Sequence, residues 1–143
     1  MANTLELTII TPSKTFYRGK CEIVIVPTLE GEEAFMANHA WAFVLLKAGE
    51  MWIREPGATD YKAAFIADGF ADVKDTVTIF CDVADWREDI DPERAAASKA
   101  DAEAWLNDVQ HGEHEEDKVA RAQVAITRAI ERMKVSQGGF RDH

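Results

Sequence analysis

The hydrophobic pattern of this chain changes its period between residues 83 and 91, and this change limits what the chain can fold into. Residues 77–83 (VTIFCDV) place apolar side chains at alternate positions, which is the pattern of a half-buried strand. Asp91 and Pro92 then form a typical helix start, because the carboxylate accepts hydrogen bonds from the first turn and proline has no N–H to leave unpaired. The sequence therefore predicts a strand-rich part followed by a helical part.

The part before residue 87 contains many short apolar runs separated by turn residues. From the alternation or the β-branched content of each run, we expect strands at residues 5–9, 15–18, 21–26, 51–54, 61–66, 70–73 and 77–83. Gly19 and Pro27 are expected to end the second and third strands, and turns are expected at residues 30–32, 55–57 and 68–69. Short strands at this spacing predict an antiparallel sandwich or barrel rather than a parallel α/β sheet.

The part after Asp91 is rich in alanine and in charged residues, a composition that favours helices. A first helix is expected to end at residues 110–112, where Gly112 is a suitable C-terminal cap. A second helix is expected after the acidic residues 113–117. Its apolar face contains Val119, Ala122, Ile126, Ala129, Ile130 and Met133. Two helices joined by a short loop form an antiparallel hairpin, and the tail at residues 138–143 is expected to be frayed.

The chain carries a net charge of −10, because acidic side chains outnumber basic ones. Such a chain repels phosphate backbones and anionic lipid heads, so we expect no nucleic-acid binding and no membrane-surface binding. Residues 1–6 lack the features of a signal peptide, and no window approaches the roughly 20 apolar residues of a spanning helix. A cytoplasmic location without direct membrane insertion is expected. Cys21 and Cys81 lie in apolar runs, where buried reduced thiols are expected and a disulfide is the alternative.

The sequence contains no motif for a catalytic or metal centre. It has no cysteine pair at metal-binding spacing, no Gly-x-Ser-x-Gly elbow and no phosphate-binding glycine loop. His111 and His114, with the acidic residues Glu113, Glu115, Glu116 and Asp117, could recruit a divalent cation, but a solvated loop explains the same residues. His39 is expected to hydrogen-bond a loop, with acid–base chemistry as the alternative. We therefore expect neither a catalytic residue nor a bound metal.

Four charged residues of the helical part could meet at one anion. Arg128 and Arg132 are four positions apart and share a helix face, so a folded hairpin could direct both guanidinium groups at one ligand. Asp91 and Arg94 would approach this ligand from the start of the first helix. The alternative is a solvated, salt-bridged face to which Glu131 also contributes.

Several short motifs, taken in order, resemble those of a known family. Residues 7–12 (LTIITP) resemble its opening strand, and residues 30–32 (EGE) with His39 resemble its "EGE…HAP" loop. Residues 65–73 (FIADGFADV) resemble its "F(V/A)SGGFLEV" hairpin, and residues 84–91 (ADWREDID) resemble its "AERAEDID" segment. In the order and spacing of these motifs the chain is similar to the epsilon subunit of the rotary ATP synthase, which is called delta in mitochondria.

The resemblance implies an α+β fold. An N-terminal antiparallel β-sandwich of ten strands would cover residues 1–86, a linker residues 87–90, and a C-terminal antiparallel two-helix hairpin residues 91–143. It implies a non-catalytic rotor subunit in the central stalk of a proton-translocating ATP synthase. Such a subunit couples the catalytic head to the ring of membrane c subunits and regulates ATP hydrolysis. It would be peripheral to the cytoplasmic face of the cell membrane.

The resemblance also implies a regulatory ATP, and no other cofactor. In members whose hairpin senses ATP, the motif is Ile/Leu-Asp-x-x-Arg-Ala, which residues 90–95 (IDPERA) match. Asp91 and Arg94 belong to this motif. Arg128 and Arg132 match the second-helix arginines that complete the family's ATP site.

The partners implied are the gamma subunit, the c-ring and, through the C-terminal helices, the alpha and beta subunits. The c-ring and gamma interface would include Glu30, Gly31, Glu32 and His39. The alternative hypothesis is a free-standing nucleotide sensor, in which the sandwich is a scaffold and the hairpin clamps a nucleotide.

Overall fold

The computed structural model describes residues 3–109, 116–139 and 141. Eight strands come first in this part of the chain: β1 (Leu5–Ile10), β2 (Thr15–Cys21), β3 (Ile23–Thr28), β4 (Gly31–Met36), β5 (Ala42–Leu46), β6 (Gly49–Arg54), β7 (Lys62–Val73) and β8 (Val77–Trp86). A 3-10 helix (Arg87–Asp89) and two α-helices follow, α1 (Pro92–Val109) and α2 (Glu116–Ser136). The expected α+β fold, a β-sandwich followed by two helices, is confirmed.

The strands form one hydrogen-bonded sheet in the order β2-β1-β8-β7-β5-β3-β4, and β6 pairs with both β3 and β7. The pairs are antiparallel except for β1 and β8, which run parallel. This parallel pair joins the first and last strands of the sandwich, and a local hairpin could not make such a connection. The described residues contain eight strands rather than the ten that the resemblance implied, because β7 and β8 each run as one long strand.

The longest strand, β7, bends at Asp68 and Gly69. Its first half pairs with β6, its second half pairs with β5, and β8 follows it along both halves. Asp68 has a φ of +48°, and a side chain at Gly69 would overlap the backbone of Phe80 in β8. The turn expected at residues 68–69 is therefore wrong. The chain bends there without reversing, because glycine lets β8 pass close by.

Two strand boundaries also differ from the expectation. β2 continues through Gly19 to Cys21, and β3 continues through Pro27 to Thr28. Proline has no N–H to donate, but its carbonyl oxygen still accepts a hydrogen bond from the Lys47 N–H at 3.1 Å. Neither a glycine nor a proline therefore ends its strand here, because the neighbouring strands supply partners beyond it.

The main core lies between the layers of the sandwich. Ala64 and Ile66 face it from the first half of β7, and Ala71 and Val73 face it from the second half. The bend therefore reverses which alternate positions point inward. Residues on the outer side of the first half are left to pack against the helices.

Helix α2 packs on the outer face of the sandwich, and α1 packs along α2. Val135 of α2 forms a small buried cluster with Phe65 and Ala67 of β7. Ala95 of α1 and Ala129 of α2 are also buried. Small residues let the two helices approach closely, and the buried cluster that joins α2 to the sandwich is small. In the parts of the chain described above, neither helix has the length and apolar character needed to cross a lipid bilayer.

Cys21 and Cys81 are buried and unpaired. Burial raises the pKa of the Cys21 thiol to about 12 and that of the Cys81 thiol to about 11. Both groups therefore remain protonated at neutral pH and behave as small apolar side chains. The expected buried thiols are confirmed, and the disulfide alternative is not observed.

Candidate functional site

Asp91 caps the N-terminus of α1. One oxygen, Oδ1, accepts hydrogen bonds from the backbone N–H groups of Glu93 at 3.0 Å and Arg94 at 3.2 Å. These two N–H groups have no partner inside the helix, so the cap satisfies them. The helix start expected from the sequence is confirmed.

A cavity of about 330 Å³ opens beside this cap, between the end of the sandwich and the helices. It is lined by Asp85, Asp89, Ile90, Asp91, Arg94, Ala95, Ser98 and Arg132. Three of the four residues expected at the anion site, namely Asp91, Arg94 and Arg132, are thus brought together. Only Arg128 of the expected set lies outside the cavity lining.

Arg132 contacts the sandwich from one wall of this cavity. Its Nε lies 3.3 Å from Oδ2 of Asp85, and its guanidinium lies 4.7 Å from the centre of the Phe65 ring. The carboxylate and the aromatic face both favour a cation. Arg132 therefore stabilises the contact between α2 and β7, and an anion entering the cavity would compete with Asp85 for it.

Arg128 lies one helical turn earlier and pairs with the bend of the sheet. Its Nη2 is 2.8 Å from Oδ2 of Asp68 and 3.4 Å from Oδ2 of Asp82. The shared helix face expected for Arg128 and Arg132 is confirmed, and it is the face that docks on the sandwich. These aspartates could not be predicted as partners, because 60 residues separate Asp68 from Arg128 and 46 separate Asp82 from it.

The charge balance of the cavity limits its chemistry. Three carboxylates, those of Asp85, Asp89 and Asp91, line it beside the two guanidinium groups of Arg94 and Arg132. An added polyphosphate gains attraction from the arginines and repulsion from the acids. Binding a polyanion therefore requires Arg132 to exchange its aspartate partner for the ligand.

The turn between β3 and β4 carries three of the residues expected at the c-ring and gamma interface. Leu29 and Glu30 form the turn itself, while Gly31, with a φ of +117°, and Glu32 begin β4. The turn expected at residues 30–32 therefore lies one residue earlier. The Thr28 hydroxyl donates to the Gly31 carbonyl at 2.6 Å and accepts from the Glu30 N–H at 3.1 Å, so the turn is held from inside.

His39 lies beyond the other end of β4, away from this turn along the strand. Its Nδ1 is 2.7 Å from the carbonyl oxygen of Ala40. Its ring meets the Phe35 ring edge-on, with 4.9 Å between the ring centroids. Its backbone N–H also donates to the Met36 carbonyl at 3.2 Å. The expected role of His39, hydrogen-bonding a loop, is confirmed.

Glu32 forms an ion pair that the sequence did not predict. Both of its carboxylate oxygens accept from the guanidinium of Arg141, each at 2.9 Å. The expectation of a frayed tail is therefore wrong for Gly138 and Gly139, which contact Arg87, and for Arg141, which contacts the sandwich. Residues 140, 142 and 143 lie outside the described part of the chain.

Arg87 is a second contact residue that sequence reasoning missed. Its Nε donates to the Val135 carbonyl at 2.8 Å and its Nη1 to the Gly139 carbonyl at 3.0 Å. Its Nη2 pairs with Glu50 at 2.7 Å, and its guanidinium lies 5.0 Å from the centre of the Trp52 ring. This one side chain therefore joins the sandwich to the end of α2. No sequence pattern marks it, because every partner is distant along the chain.

An apolar surface remains exposed on the second half of the bent sheet. The rings of Phe43, Phe70 and Phe80, on three neighbouring strands, stack with centroid distances of 4.9 Å. Phe43 is 64% exposed, and Trp41 and Leu45 beside it on the chain are 69% and 55% exposed. We call Phe43, Phe70 and Phe80 the aromatic ladder. Contiguous exposed apolar surface is typical of sites that contact another molecule.

The metal hypothesis for the interhelical loop falls largely outside the structure. His111, His114, Glu113 and Glu115 lie outside the described residues. Within residues 3–109, 116–139 and 141, no cluster of three or more His, Cys, Asp or Glu side chains is arranged to hold a metal ion.

Two family profiles match this chain and together span almost all of it. That of "ATP synthase, Delta/Epsilon chain, beta-sandwich domain" matches residues 4–87, and that of "ATP synthase, Delta/Epsilon chain, long alpha-helix domain" matches residues 88–137. The chain belongs to the ATP synthase delta/epsilon family. The identification expected from the short motifs is thereby confirmed.

Curated members of the delta/epsilon family match along nearly their whole length. The ATP synthase epsilon chain of Clostridium novyi is 34% identical over 137 residues, which cover 94% of this chain and 99% of that protein. The epsilon chain of Staphylococcus aureus strain Newman is 36% identical over 139 residues, covering 94% and 98%. The similarity therefore includes both the sandwich and the helices.

Solved structures share the delta/epsilon fold. A chain of the Euglena gracilis mitochondrial ATP synthase matches with a TM-score of 0.73 at 22% identity, covering 92% of this chain and 79% of that one. A chain from the central stalk and c-ring of the Tetrahymena thermophila enzyme matches with a TM-score of 0.62 at 14% identity, covering 93% and 96%. At these identities the likeness concerns the fold.

Proposed function

We propose that this chain is a non-catalytic central-stalk subunit of a proton-translocating ATP synthase, which couples the catalytic head to the c-ring and regulates ATP hydrolysis. The observation that carries the proposal is the consecutive match of both family domains across residues 4–137. It is supported by full-length relatives named ATP synthase epsilon chain. A free-standing nucleotide sensor is not favoured, since these relatives are named as chains of an ATP synthase. As part of this complex the chain is peripheral on the cytoplasmic face of the membrane.

The sandwich binds the gamma subunit and the c-ring in this proposal. The turn of Glu30 and Gly31, with Glu32 and His39, forms one part of the interface. The exposed aromatic ladder supports a second contact area, because burying three stacked rings against a partner removes apolar surface from water. A sheet with a filled core then transmits torque without deforming.

The hairpin regulates hydrolysis by leaving the sandwich and reaching the alpha and beta subunits. Its docking rests on few buried apolar side chains, with Val135 of α2 packed against Phe65 and Ala67, and on ion pairs of Arg128 and Arg132 with sandwich aspartates. Partly exposed ion pairs contribute about 0.2–1 kcal/mol each. A hairpin held in this way can undock at modest cost.

A regulatory ATP is proposed to bind in the cavity beside the α1 cap. Arg94 and Arg132 line this cavity and supply guanidinium groups for phosphate oxygens. Asp91 also lines it, and its side chain caps the start of α1. Arg128 joins them only when it leaves Asp68 and Asp82. ATP and the docking aspartates thus compete for the same arginines.

Copurification tests the subunit assignment. The affinity-tagged chain should retain the gamma subunit of its own organism, and Phe43→Asp should reduce the recovered gamma subunit at least several-fold by placing a charge in the ladder. Ala97→Asp is the matched control, because Ala97 is exposed on α1, which packs along α2. Failure of the unaltered chain to retain gamma would refute the assignment.

Calorimetry with Mg-free ATP tests the nucleotide site. Binding heat is expected for the unaltered chain and is expected to be lost in Arg94→Ala. Arg18→Ala, on the edge strand β2, should leave the heat unchanged. No heat at millimolar ATP, or equal heat from the Arg94→Ala variant, would eliminate the site.

A further inference from the structure

The guanidinium of Arg141 is bound on two sides by the sandwich. Its Nη1 and Nη2 donate to the two carboxylate oxygens of Glu32 at 2.9 Å each, and the guanidinium carbon Cζ lies 5.3 Å from the centroid of the Trp52 ring. A parallel pair of hydrogen bonds with an aromatic face is the arrangement that distinguishes arginine from lysine. The hydrogen bond to Glu32 raises the pKa of Arg141, while partial burial opposes the shift.

The Trp52 ring that Arg141 contacts is held within the sandwich. Trp52 lies in β6 and is only 7% exposed, and its ring is also contacted by Arg87 at 5.0 Å. Arg87 is held in turn by Glu50 at 2.7 Å. Glu32 lies in β4, so the carboxylate and the ring both come from strands of the sandwich.

Gly138 and Gly139, which lie between α2 and Arg141, contact Arg87 of the 3-10 helix. α2 ends at Ser136, and the Gly139 carbonyl then accepts from Arg87 at 3.0 Å. A side chain at Gly138 would meet the guanidinium of Arg87, so glycine permits this close approach. The position of Arg141 is therefore coupled to the position of α2.

We propose that Glu32 and Trp52 form a guanidinium-binding site whose ligand is the chain's own Arg141, and that its occupation holds α2 against the sandwich. We call these three residues the Arg141 latch. The ligand is part of the same chain, so its effective concentration is high and a modest intrinsic affinity is sufficient. The latch adds a contact beyond the α2 face, at the side of the sandwich that carries the β3–β4 turn.

The effect of the Arg141 latch on partner binding rests on the proposed function. Arg141 occupies both oxygens of Glu32 while the hairpin is docked. A partner that contacts the β3–β4 turn through Glu32 must displace Arg141, so partner binding at Glu32 and hairpin docking oppose each other.

Hydrogen exchange of the isolated full chain, followed by mass spectrometry, tests the latch without any partner. Arg141→Ala and Glu32→Gln should each speed exchange in the α2 peptides roughly two- to fivefold, and the double variant should exchange no faster than either single one. Arg141→Lys should recover only part of the protection. Glu30→Gln is the matched control, two positions from Glu32, and should leave α2 exchange unchanged.

Peptides from β7 and β8 report whether the sandwich itself is altered. Protection there should be the same in every variant, and the charge-swapped pair Glu32→Arg with Arg141→Glu should recover part of the α2 protection, because it restores the ion pair but not the contact of Arg141 with Trp52. Unchanged α2 exchange in both single variants, or additive effects in the double variant, would overturn the proposal. These measurements involve no gamma subunit, so their failure is distinct from failure of the proposed function.

Discussion

Arg128 of α2 lies 2.8 Å from Asp68, the residue at which β7 bends with a φ of +48°. The bend positions the Asp68 carboxylate where the helix face can reach it, and Asp82 on β8 lies 3.4 Å from the same nitrogen. The irregular point of the sheet is thus also a docking point for the hairpin. Both features depend on residues that are far apart in the sequence.

Loss of the Arg128 side chain should weaken hairpin docking in a salt-dependent way. Arg128→Ala is expected to reduce the docking free energy by about 0.5–1 kcal/mol at low ionic strength, with a smaller difference at high salt, because these carboxylates are half exposed. Hydrogen exchange of α2 at low and high salt measures this. Lys134→Ala is the control, since Lys134 pairs with Glu131 on the same helix. A difference that persists undiminished at high salt would contradict the ion-pair account.

Among the glycines that the structure describes, Gly69 should be the least tolerant of substitution. A Cβ at this position overlaps the Phe80 carbonyl, so Gly69→Ala must push β8 away from β7 and is expected to destabilise the sandwich by roughly 3 kcal/mol or more. Gly57→Ala, in a turn with a φ of +77° and open space around it, should cost only about 1–2 kcal/mol. Urea unfolding of both variants compares them. Equal destabilisation would show that β8 can move freely at this point.

The hydrogen bonds that Asp91 accepts at the start of α1 can be tested separately from its negative charge. Asp91→Ala removes the acceptor of two N–H groups and is expected to destabilise α1 by about 1 kcal/mol. Asp91→Asn keeps the acceptor oxygen and should restore most of that loss. Exchange protection of the α1 peptides is the measurement. If alanine and asparagine give equal protection, the hydrogen bonds do not stabilise the helix.

Glu50 should make stability fall as the pH rises. Burial raises the pKa of its carboxyl above the ordinary 4.5, and the hydrogen bond from Arg87 lowers it by less. The folded chain therefore holds this proton more tightly than the unfolded chain. The contribution of Glu50 to the free energy of unfolding is fully present below pH 4.5. It is lost as the pH rises through the pKa that Glu50 has in the folded chain.

Glu50→Gln should remove this dependence. The unfolding free energy of the unaltered chain minus that of the variant is expected to fall as the pH rises above about 4.5, measured by urea unfolding at several pH values. Glu6→Gln, on an exposed position of β1, serves as control. A difference that rises with pH would mean that the Arg87 ion pair outweighs the burial of the carboxylate.

Local patterns predicted several features because their physical causes are local. The helix start at Asp91 and Pro92 depends on a side chain and on N–H groups two and three positions away. The alternation in β8 depends on the geometry of a single strand, and Val77, Ile79 and Cys81 are indeed buried. Spacing of four residues likewise predicted that Arg128 and Arg132 share a face.

The predictions of a turn at residues 68–69 and of a frayed tail were wrong because segments distant in the sequence determine the structure there. Residues 68–69 have the composition of a turn, yet β5, β6 and β8 pair on both sides of them and keep the strand continuous. The tail at Gly138 and Gly139 has no hydrophobic pattern, yet it contacts Arg87, some fifty residues earlier in the chain. Neither partner can be inferred from the segment itself.

The sequence by itself determined the division into a strand-rich and a helical part, the family, and the charged residues available to a regulatory site. Only the tertiary structure decided how those charges are used. Arg132 lines the cavity, Arg128 pairs with the bend of β7, and Arg141 occupies Glu32. The reason is physical: an arginine binds whichever carboxylate the fold brings within hydrogen-bonding distance, and that distance is set by the packing of α2 on the sandwich.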